Sequence, residues 1–322
     1  MMISEGIYQL EIPMTRNPLG KTYSYLLLES KTLIDTGVPT EEAYSGLQRE
    51  LKKFELQPQD IRRVLITHLH NDHVGLVDIL SDYGTEIWAS EAAEKREEQF
   101  SKQWDSLYEL VREETKTFGG EEYLNFVDNY KFAFKRRYER LPIDRKIKDG
   151  ENINLEEINL RAIWTPGHSP EHMVYYSEEK KLLFSGDHVL PKITSHISLH
   201  SYEDRDPLHE YLESLKKVEK LEVSTVLPGH EWVFSNLSER VEELRNHHKK
   251  RLNEIKDTLK EGEKTVYHIG RKIHWDSRPW SEMDFWTKRM AAAETYAHLI
   301  FLRNEDEILE KEKQGILYYN LT

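Results

Sequence analysis

Residues 67–73 hold a dense group of side chains that could bind a metal ion. The segment reads Thr-His-Leu-His-Asn-Asp-His, so His68, His70, Asp72 and His73 place three imidazoles and one carboxylate within six positions. Neutral imidazole nitrogens and ionised carboxylates are the ligands that zinc-like cations prefer. A polar surface loop is the plain alternative, but burying four such side chains without a cation would be costly. The spacing therefore predicts a metal site.

Three later segments end an apolar run with a glycine directly before a possible ligand. They are Gly167-His168, Gly186-Asp187 and Gly229-His230. Glycine permits a sharp turn and a close approach of the backbone, so the next side chain can point into a common cleft. A fourth strand-like run ends at Asp35, which we interpret as capping its turn or orienting a ligand.

The other histidines have plainer interpretations. His172 and His188 lie beside candidate ligands, and we expect them to have orienting or structural roles. A solvent-exposed loop is the expected place of His196 and His200, although the lining of a substrate pocket is an alternative. We assign no metal role to His247 and His248, which lie in a predicted long helix.

The segments that carry the candidate ligands have the patterns of β-strands. Apolar or alternating runs predict strands at residues 8–12, 22–28, 31–35, 63–66 and 86–88, and then at 153–155, 159–164, 173–176, 181–184 and 224–227. Helical spacing predicts helices at 41–54, 75–80 and 207–221. Two blocks of strands, each closed by helices, therefore carry polar chemistry at their strand ends.

Residues 91–148 differ from this pattern, because charged residues alternate with aromatic ones. We interpret them as a helical lid insertion of two or three amphipathic helices, broken at Gly119-Gly120. The insertion includes a basic cluster formed by Lys131, Lys135, Arg136, Arg137 and Arg140. A solvated helix face is the simpler interpretation of this cluster. The alternative is a lid whose basic residues meet an anionic group of the substrate.

The pattern changes again from residue 238. Helices are predicted at 238–260, 265–273 and 283–302, and a charged turn joins two strands at 307–310 and 315–319. The sequence therefore predicts two domains. Residues 1–237 form the domain that holds every candidate ligand, and residues 238–322 form a small module of three helices and a hairpin.

Composition limits the environment and the partners of the protein. The 322 residues carry a net charge of −13 and no cysteine, and we find no apolar run of membrane-spanning length. The absence of cysteine and of a signal-peptide pattern predicts a cytoplasmic protein without a membrane partner. Residues 1–239 hold 29 Lys and Arg against 43 Asp and Glu, whereas residues 240–322 hold 16 against 15. This acidic body disfavours non-specific binding to nucleic acid.

The complete ligand set resembles that of the metallo-β-lactamase superfamily. The family signature His-x-His-x-Asp-His is present at residues 68–73, and the later family ligands match His168, Asp187 and His230 in order and local context. The resemblance extends from residue 1 to about residue 235. It implies an α/β (α+β) fold, an αββα sandwich with a two-metal site at one edge, to which this chain adds the helical insertion and the C-terminal module.

The resemblance also implies a role for each ligand. His68, His70 and His168 would bind the first metal ion, Asp72, His73 and His230 would bind the second, and Asp187 would bridge them. The two ions would hold a bridging hydroxide as the nucleophile of a hydrolase, and Asp72 and Asp187 are the expected catalytic carboxylates. Zinc is the expected metal, while manganese and iron accept the same ligands.

Two departures narrow the resemblance to the dinuclear hydrolase branch. The oxygen-reducing diiron branch has Glu where this chain has His70, and the classical zinc β-lactamases often use a cysteine ligand, which this chain lacks.

The C-terminal module resembles, more loosely, the winged-helix appendage of a subfamily that includes a mitochondrial endoribonuclease, with matches at 245–251, 297–299 and 315–319. Such a module could bind nucleic acid, pack on the first domain or form a homodimer.

Three functional hypotheses follow. The first is a dinuclear metal-dependent hydrolase of a small ester, thioester or lactone, whose small-molecule substrate has an anionic group. The second is a phosphodiesterase that cleaves single-stranded RNA, against which the acidic body counts. The third is a ligand-binding protein that kept the fold without catalysis, against which the intact ligand set counts. We therefore expect the first.

Overall fold

The computed structural model describes residues 1–15, 17–104, 106–129, 131, 141–276 and 278–322, with the backbone alone at residues 100–104. The chain divides into two compact units, each built from three separate stretches. The first unit consists of Met1–Glu98, Arg140–Ser195 and Glu213–Val241. The second consists of Gln99–Glu139, His196–Leu212 and Glu242–Thr322. The predicted domain boundary at residue 237 stays a prediction.

The larger sheet of the first unit has seven strands in chain order. They are β1 (Met2–Ser4), β2 (Ile7–Pro13), β3 (Lys21–Leu27), β4 (Thr32–Ile34), β5 (Arg63–Leu65), β6 (Glu86–Ser90) and β7 (Arg145–Ile147). Neighbouring strands from β1 to β4 are antiparallel, and those from β4 to β7 are parallel. Because parallel strands point the same way, the loops after β4 and β5 leave from one edge of the sheet.

The smaller sheet has five strands, which are β8 (Asn152–Asn154), β9 (Asn159–Trp164), β10 (Met173–Ser177), β11 (Leu182–Gly186) and β12 (Thr225–Pro228). Their order across the sheet is β12-β11-β10-β9-β8. Strands β11 and β12 are parallel, whereas the other neighbours are antiparallel. The turns after β11 and β12 therefore leave side by side.

An apolar core lies between the two sheets. It includes Tyr25 and Leu65 from the larger sheet and Tyr175 and Phe184 from the smaller one, all of them buried. The rings of Tyr25 and Phe184 meet edge to face, with their centroids 5.4 Å apart. Burial of each such side chain contributes about 1.5–3 kcal/mol, so this layer holds the sheets together.

Some of the helices lie on the outer faces of the sandwich. The helices of the described chain are α1 (Glu41–Lys52), α2 (Asn71–Val74), α3 (Val77–Asp82), α4 (Glu91–Trp104), α5 (Leu107–Thr117), α6 (Leu124–Asn129), α7 (Pro207–Glu219), α8 (Leu237–Leu259), α9 (Val266–Lys272) and α10 (Phe285–Asn304). Leu47 of α1 and Leu80 of α3 pack on the outer face of the larger sheet. Ser214 of α7 donates a hydrogen bond to the carbonyl oxygen of Pro166, which follows β9. The predicted αββα arrangement is therefore confirmed.

Local sequence explains why α1 begins where it does. Thr40 precedes the helix in an extended conformation, and its hydroxyl oxygen accepts a hydrogen bond from the Ala43 amide at 3.2 Å. Such a cap satisfies one of the amides that the first helical turn leaves without a partner. Glu41 and Glu42 lie in the first turn and Lys52 in the last, where their charges oppose the helix dipole.

The second unit has its own core. Tyr267 of α9, Leu299 of α10 and Tyr319 are buried together, and Tyr319 belongs to a hairpin of β13 (Ile308–Lys313) and β14 (Ile316–Leu321). The order of three helices followed by a hairpin is the one predicted for the C-terminal module, whose winged-helix identity stays a prediction. No helix in the described part of the chain is long and apolar enough to cross a membrane.

The structure bears on part of the predicted helical insertion at residues 91–148. The prediction is wrong at the end of this range, because residues 145–147 form β7, which pairs with β6 in the larger sheet. Helix α5 ends at Thr117, before the predicted break at Gly119-Gly120, and a short 3₁₀ turn and α6 follow that break. Of the basic cluster, Lys131 is described, and its Nζ lies 4.6 Å from the ring centroid of Tyr108. Lys135, Arg136, Arg137 and Arg140 lie outside the described residues.

His196 and His200 lie in a loop, as predicted, but the expected full exposure to solvent is wrong, because both side chains are partly buried. His196 Nδ1 lies 3.0 Å from Glu294 Oε2, and His200 Nδ1 lies 2.9 Å from Glu114 Oε2. Leu199, between them, is buried and its amide donates to a carbonyl of α10. These histidines are therefore held by carboxylates within the second unit.

Candidate metal centre

All seven candidate ligands lie in the first unit, and each follows the end of a strand. His68 and His70 follow β5, Asp72 and His73 lie in α2 directly behind them, His168 follows β9, Asp187 follows β11 and His230 follows β12. The strand ends of both sheets thus bring together residues that are up to 162 positions apart, from His68 to His230. These side chains come close to one another only because the two sheets pack against each other.

Three imidazoles converge on one point. His68 Nε2 lies 3.0 Å from His70 Nδ1 and 3.2 Å from His168 Nε2, and the His70 and His168 nitrogens are 2.9 Å apart. Hydrogen bonds cannot satisfy such a triangle, because two of its three nitrogens must share the same donor or acceptor role. A cation at the centre would accept a lone pair from each. Tetrahedral zinc, with Zn–N bonds of ~2.0–2.1 Å, separates its nitrogens by about 3.3 Å, close to the distances here.

Asp72, His73 and His230 form a second group, whose ligand atoms lie within 4.8 Å of one another. Asp187 lies between the two groups. Its Oδ1 is 3.4 Å from His73 Nε2, and its Oδ2 is 3.4 Å from His230 Nε2 and 3.8 Å from His168 Nε2. One carboxylate is therefore within reach of both groups.

Two atoms of this arrangement test whether a cation fits. His73 Nε2 and Asp187 Oδ1 are both buried, and neither has a hydrogen-bond partner among the described residues. A buried polar atom without a partner costs about 1–3 kcal/mol. A cation between the two atoms would remove that cost, so the residues present fit a metal ion with nitrogen and oxygen ligands.

The electrostatics of the site separate neutral from charged histidines. Burial lowers the pKa of His68 well below its usual range, and the neighbouring His73 and His70 lower it further, so this imidazole is neutral. Burial also lowers the pKa of His230, but the Asp187 and Asp72 carboxylates outweigh it and raise the pKa to about 9. A cation bound at the second group would displace this proton, because ligand imidazoles bind metals in the neutral form.

Asp35 orients one ligand from each group. Its Oδ1 accepts the Thr67 amide at 2.8 Å, and its Oδ2 accepts the Thr67 hydroxyl at 2.7 Å and lies 2.8 Å from His73 Nδ1. The Thr67 oxygen in turn lies 3.0 Å from His68 Nδ1. Since the single hydroxyl proton goes to Asp35, His68 donates from Nδ1 and keeps a lone pair on Nε2 for a metal. His73 likewise donates to Asp35 from Nδ1.

The glycines before the ligands leave room for the site, as the sequence predicts. Gly186 has a φ of +50°, and a Cβ there would lie 2.8 Å from Thr67 Oγ1. A Cβ on Gly229 would lie 2.6 Å from both Asp187 Oδ1 and His73 Cε1. A side chain at Gly186 would therefore press on residues that support the candidate ligands, and one at Gly229 would press on two candidate ligands themselves.

The histidines beside the ligands have separate surroundings. His172 Nε2 accepts the Asp187 amide at 3.3 Å, while its Nδ1 lies 2.9 Å from Thr165 Oγ1. Its ring stacks on that of His68, with centroids 5.0 Å apart. His172 therefore supports the turn that presents Asp187. His188 is also buried, and burial lowers its pKa to about 3, so this imidazole is neutral.

Sequence reasoning missed several supporting residues. Glu171 is buried, and its Oε1 accepts the Leu69 amide at 3.0 Å, which fixes the backbone between His68 and His70. The sequence signal that could have indicated Glu171 is its position directly before His172. The side chain of Tyr25 in β3 donates to the carbonyl oxygen of Pro228 at 2.7 Å. No local pattern could indicate that contact, because the two residues are 203 positions apart.

The chain belongs to the metallo-β-lactamase superfamily, whose family model matches residues 18–230. The fold and the site are those that this membership requires: a sandwich of two sheets with grouped His and Asp side chains at the strand ends. Members of this superfamily typically bind divalent metal ions.

Similar proteins agree with this membership. A beta-lactamase-like protein 2 homolog of Caenorhabditis elegans is 30% identical over 289 residues, which cover 86% of this chain and 81% of that protein. A probable metallo-hydrolase of Bacillus subtilis (strain 168) is 25% identical over 328 aligned positions, which cover 99% and 98%. An atrochrysone carboxyl ACP thioesterase of Aspergillus fumigatus is 33% identical over 107 residues, 33% of this chain and 31% of that protein.

A solved structure extends the similarity to the whole chain. The crystal structure of a metallo-beta-lactamase family protein from Thermus thermophilus has a TM-score of 0.79 and 28% identity, and 100% of each chain is covered. The superfamily, the relatives named as hydrolase and thioesterase, and the His and Asp groups together define the protein as a metal-dependent hydrolase.

Proposed function

We propose that the protein binds two divalent metal ions, with zinc as the expected metal, and hydrolyses a small ester, thioester or lactone. The observation that supports two ions is the presence of two ligand groups, His68/His70/His168 and Asp72/His73/His230, with Asp187 between them. Each group has three donors, which leaves open positions on a four- or five-coordinate ion for water and substrate.

The ligand side chains have distinct tasks in this proposal. Metal ions held by these residues would make a coordinated water acidic enough to act as a nucleophile near neutral pH, and would supply positive charge to stabilise negative charge that develops on the substrate. Burial raises the pKa of Asp72, but the hydrogen bond with His230 and the charge of His73 outweigh it and hold the pKa below its usual range. Burial raises the pKa of Asp187 too, but the charges of His230 and His73 outweigh it and hold the pKa well below its usual range, so both carboxylates stay ionised. Asp72 is the more exposed, at 26% against 11%.

Two observations favour a carbonyl substrate over a nucleic acid. The thioesterase relative acts, by its name, on an acyl carrier protein thioester, although it matches only a third of this chain. The net charge of −13 opposes the approach of a polyanion. A small substrate with one anionic group is compatible with both the thioesterase relative and the acidic charge of the chain.

The test begins with metal analysis of the purified protein. We expect close to two equivalents of zinc or manganese, and hydrolysis in a screen of thioesters, lactones, simple esters and phosphodiesters. His168→Ala should lower kcat/KM by roughly 100-fold or more, since removal of an outer partner alone costs about 10–100-fold. His209→Ala, which removes an exposed histidine of α7, is the matched control and should keep wild-type activity.

The same screen separates the alternatives. Cleavage of single-stranded RNA that falls steeply with salt, without ester hydrolysis, would replace the proposal with the phosphodiesterase hypothesis. A protein loaded with metal that turns over none of these substrates, but whose stability rises with one of them, would instead favour a ligand-binding role.

A further inference from the structure

Glu231 directly follows the candidate ligand His230, and its backbone has a conformation that glycine adopts more easily. Its φ is +70°, in the left-handed region that is unfavourable for residues with a Cβ. A strained backbone beside a ligand persists where the side chain makes contacts that hold it there. The contacts of Glu231 are therefore informative about its role.

The carboxylate of Glu231 binds two consecutive backbone amides. Its Oε2 accepts hydrogen bonds from Lys192 at 2.8 Å and from Ile193 at 3.0 Å. These amides lie five and six residues after the other candidate ligand, Asp187. The side chain thus connects the turn that carries His230 with the segment that follows Asp187.

Arg240 binds the other polar groups of that segment. Its Nε donates to the carbonyl oxygen of Leu190 at 2.7 Å, and its Nη2 donates to those of Lys192 and Ile193 at 2.7 and 2.8 Å. The guanidinium group belongs to a buried residue at the start of α8. Residues 190–193 are therefore held through both their amides and their carbonyl groups.

A second connection lies on the other side of the ligands. The Gly229 amide donates to the carbonyl oxygen of Gly186 at 2.9 Å, and these are the residues directly before His230 and Asp187. The Tyr23 hydroxyl also donates to the carbonyl oxygen of Glu231 at 2.6 Å. One link precedes the two ligands and one follows them, so the pair of turns is joined at both ends.

We propose that Glu231 is a positioning residue that keeps Asp187 and His230 at the separation a metal ion requires. This role rests on the proposed function, because it takes both residues as metal ligands. His230 Nε2 and Asp187 Oδ2 are 3.4 Å apart. Ligand distances in metal sites hold within about 0.2 Å, so loss of one link between the two turns weakens binding. The link explains why a strained glutamate occupies a position that suits glycine.

The test compares Glu231→Gly, Glu231→Gln and Glu55→Gly. Glu231→Gly removes the carboxylate and relieves the strain, so the variant should fold. Glu55→Gly is the matched control, because Glu55 has a similar φ of +59° in the same unit but is exposed in the turn that follows α1. Glu231→Gln keeps an oxygen that can accept the same two amides.

Two readouts avoid any dependence on substrate. Chelator competition with Zn²⁺ and with Mn²⁺ should show roughly 10-fold or greater weakening in Glu231→Gly, and wild-type affinity within about 3-fold in Glu231→Gln and Glu55→Gly. In the metal-free protein, hydrogen exchange at the Lys192 and Ile193 amides should accelerate in Glu231→Gly alone.

The outcomes distinguish this role from the proposed function. Wild-type metal affinity in Glu231→Gly would overturn the positioning role and leave the hydrolase proposal standing. Unchanged exchange at both amides would overturn the link itself. A wild-type protein that binds neither ion would overturn the proposed function, and the positioning role with it.

Discussion

Gly229→Ala should weaken metal binding while leaving the fold intact. Gly229 lies outside the left-handed region, so alanine is compatible with its backbone conformation. The new Cβ, however, would lie 2.6 Å from Asp187 Oδ1 and from His73 Cε1. Real Cβ atoms essentially never approach other atoms closer than 3.0 Å. Asp187 and His73 must therefore move.

The structure sets the size of the effect. The displacement is at least about 0.4 Å, roughly twice the tolerance of about 0.2 Å in metal–ligand distances. We expect metal affinity to fall by about 10–100-fold, which corresponds to roughly 1.4–2.7 kcal/mol. Overpacking of this kind also lowers the free energy of unfolding by about 1–3 kcal/mol.

Gly84→Ala is the control for the loss of stability alone. Gly84 has a φ of +88°, and a Cβ at this position would have no other atom within 4 Å, so alanine there is strained but meets nothing. We expect a cost of about 1–2 kcal/mol and an unchanged metal affinity. Chelator competition with Zn²⁺ and thermal unfolding of the metal-free proteins measure both quantities. Equal metal affinity in wild type and Gly229→Ala would refute the steric reasoning. A loss of metal affinity in Gly84→Ala equal to that in Gly229→Ala would refute it too.

Three further predictions test other parts of the chain. Asp35→Asn should weaken Zn²⁺ binding by about 10–100-fold, because the carboxylate accepts hydrogen bonds on both oxygens, from the Thr67 amide on Oδ1 and from the Thr67 hydroxyl and His73 on Oδ2, whereas an amide has one acceptor oxygen. Unchanged affinity would contradict its orienting role. Burial lowers the pKa of His298 to about 4, whereas an imidazole in the unfolded chain has a pKa of about 6.5. Between these two values the unfolded chain binds a proton at His298 that the folded protein does not, so the free energy of unfolding falls as pH falls. Urea unfolding should show about 2 kcal/mol more loss from pH 7.5 to 5 in wild type than in His298→Gln, and equal losses would argue against a neutral buried imidazole. Thr40→Ala should cost about 1 kcal/mol through loss of the α1 cap, measured by thermal unfolding, and no change in Tm would show that the cap contributes nothing.

Local patterns indicated the candidate ligands and most of the elements that carry them. Alternating and apolar runs predicted ten of the twelve strands that the structure describes in the two sheets, because side-chain burial in a strand has a period of two. The two that were missed, β1 and β7, have three residues each, too few to show a period. The spacing of residues 68–73 predicted metal chemistry, since imidazoles and a carboxylate at such density are difficult to explain otherwise. The glycines at 186 and 229 predicted close backbone approach, which the geometry confirms.

The contacts of the residues around the candidate ligands could not be predicted from local patterns. Asp35 was interpretable only as a capping or orienting residue, and its simultaneous contacts with Thr67 and His73 depend on the pairing of β4 with β5. The histidines at 196 and 200 were placed in solvent because nothing near them in sequence indicates a partner. Their partners, Glu294 and Glu114, are 98 and 86 residues away.

The sequence by itself determined which side chains could hold a metal, because ligand chemistry belongs to residue types and their local spacing. The tertiary structure decided how those side chains are aimed. Two parallel strands place Asp187 and His230 side by side, and a glutamate after one ligand binds the backbone after the other. Contacts of this kind depend on which distant segments pack together, and packing is decided by burial over the whole chain rather than by any one segment.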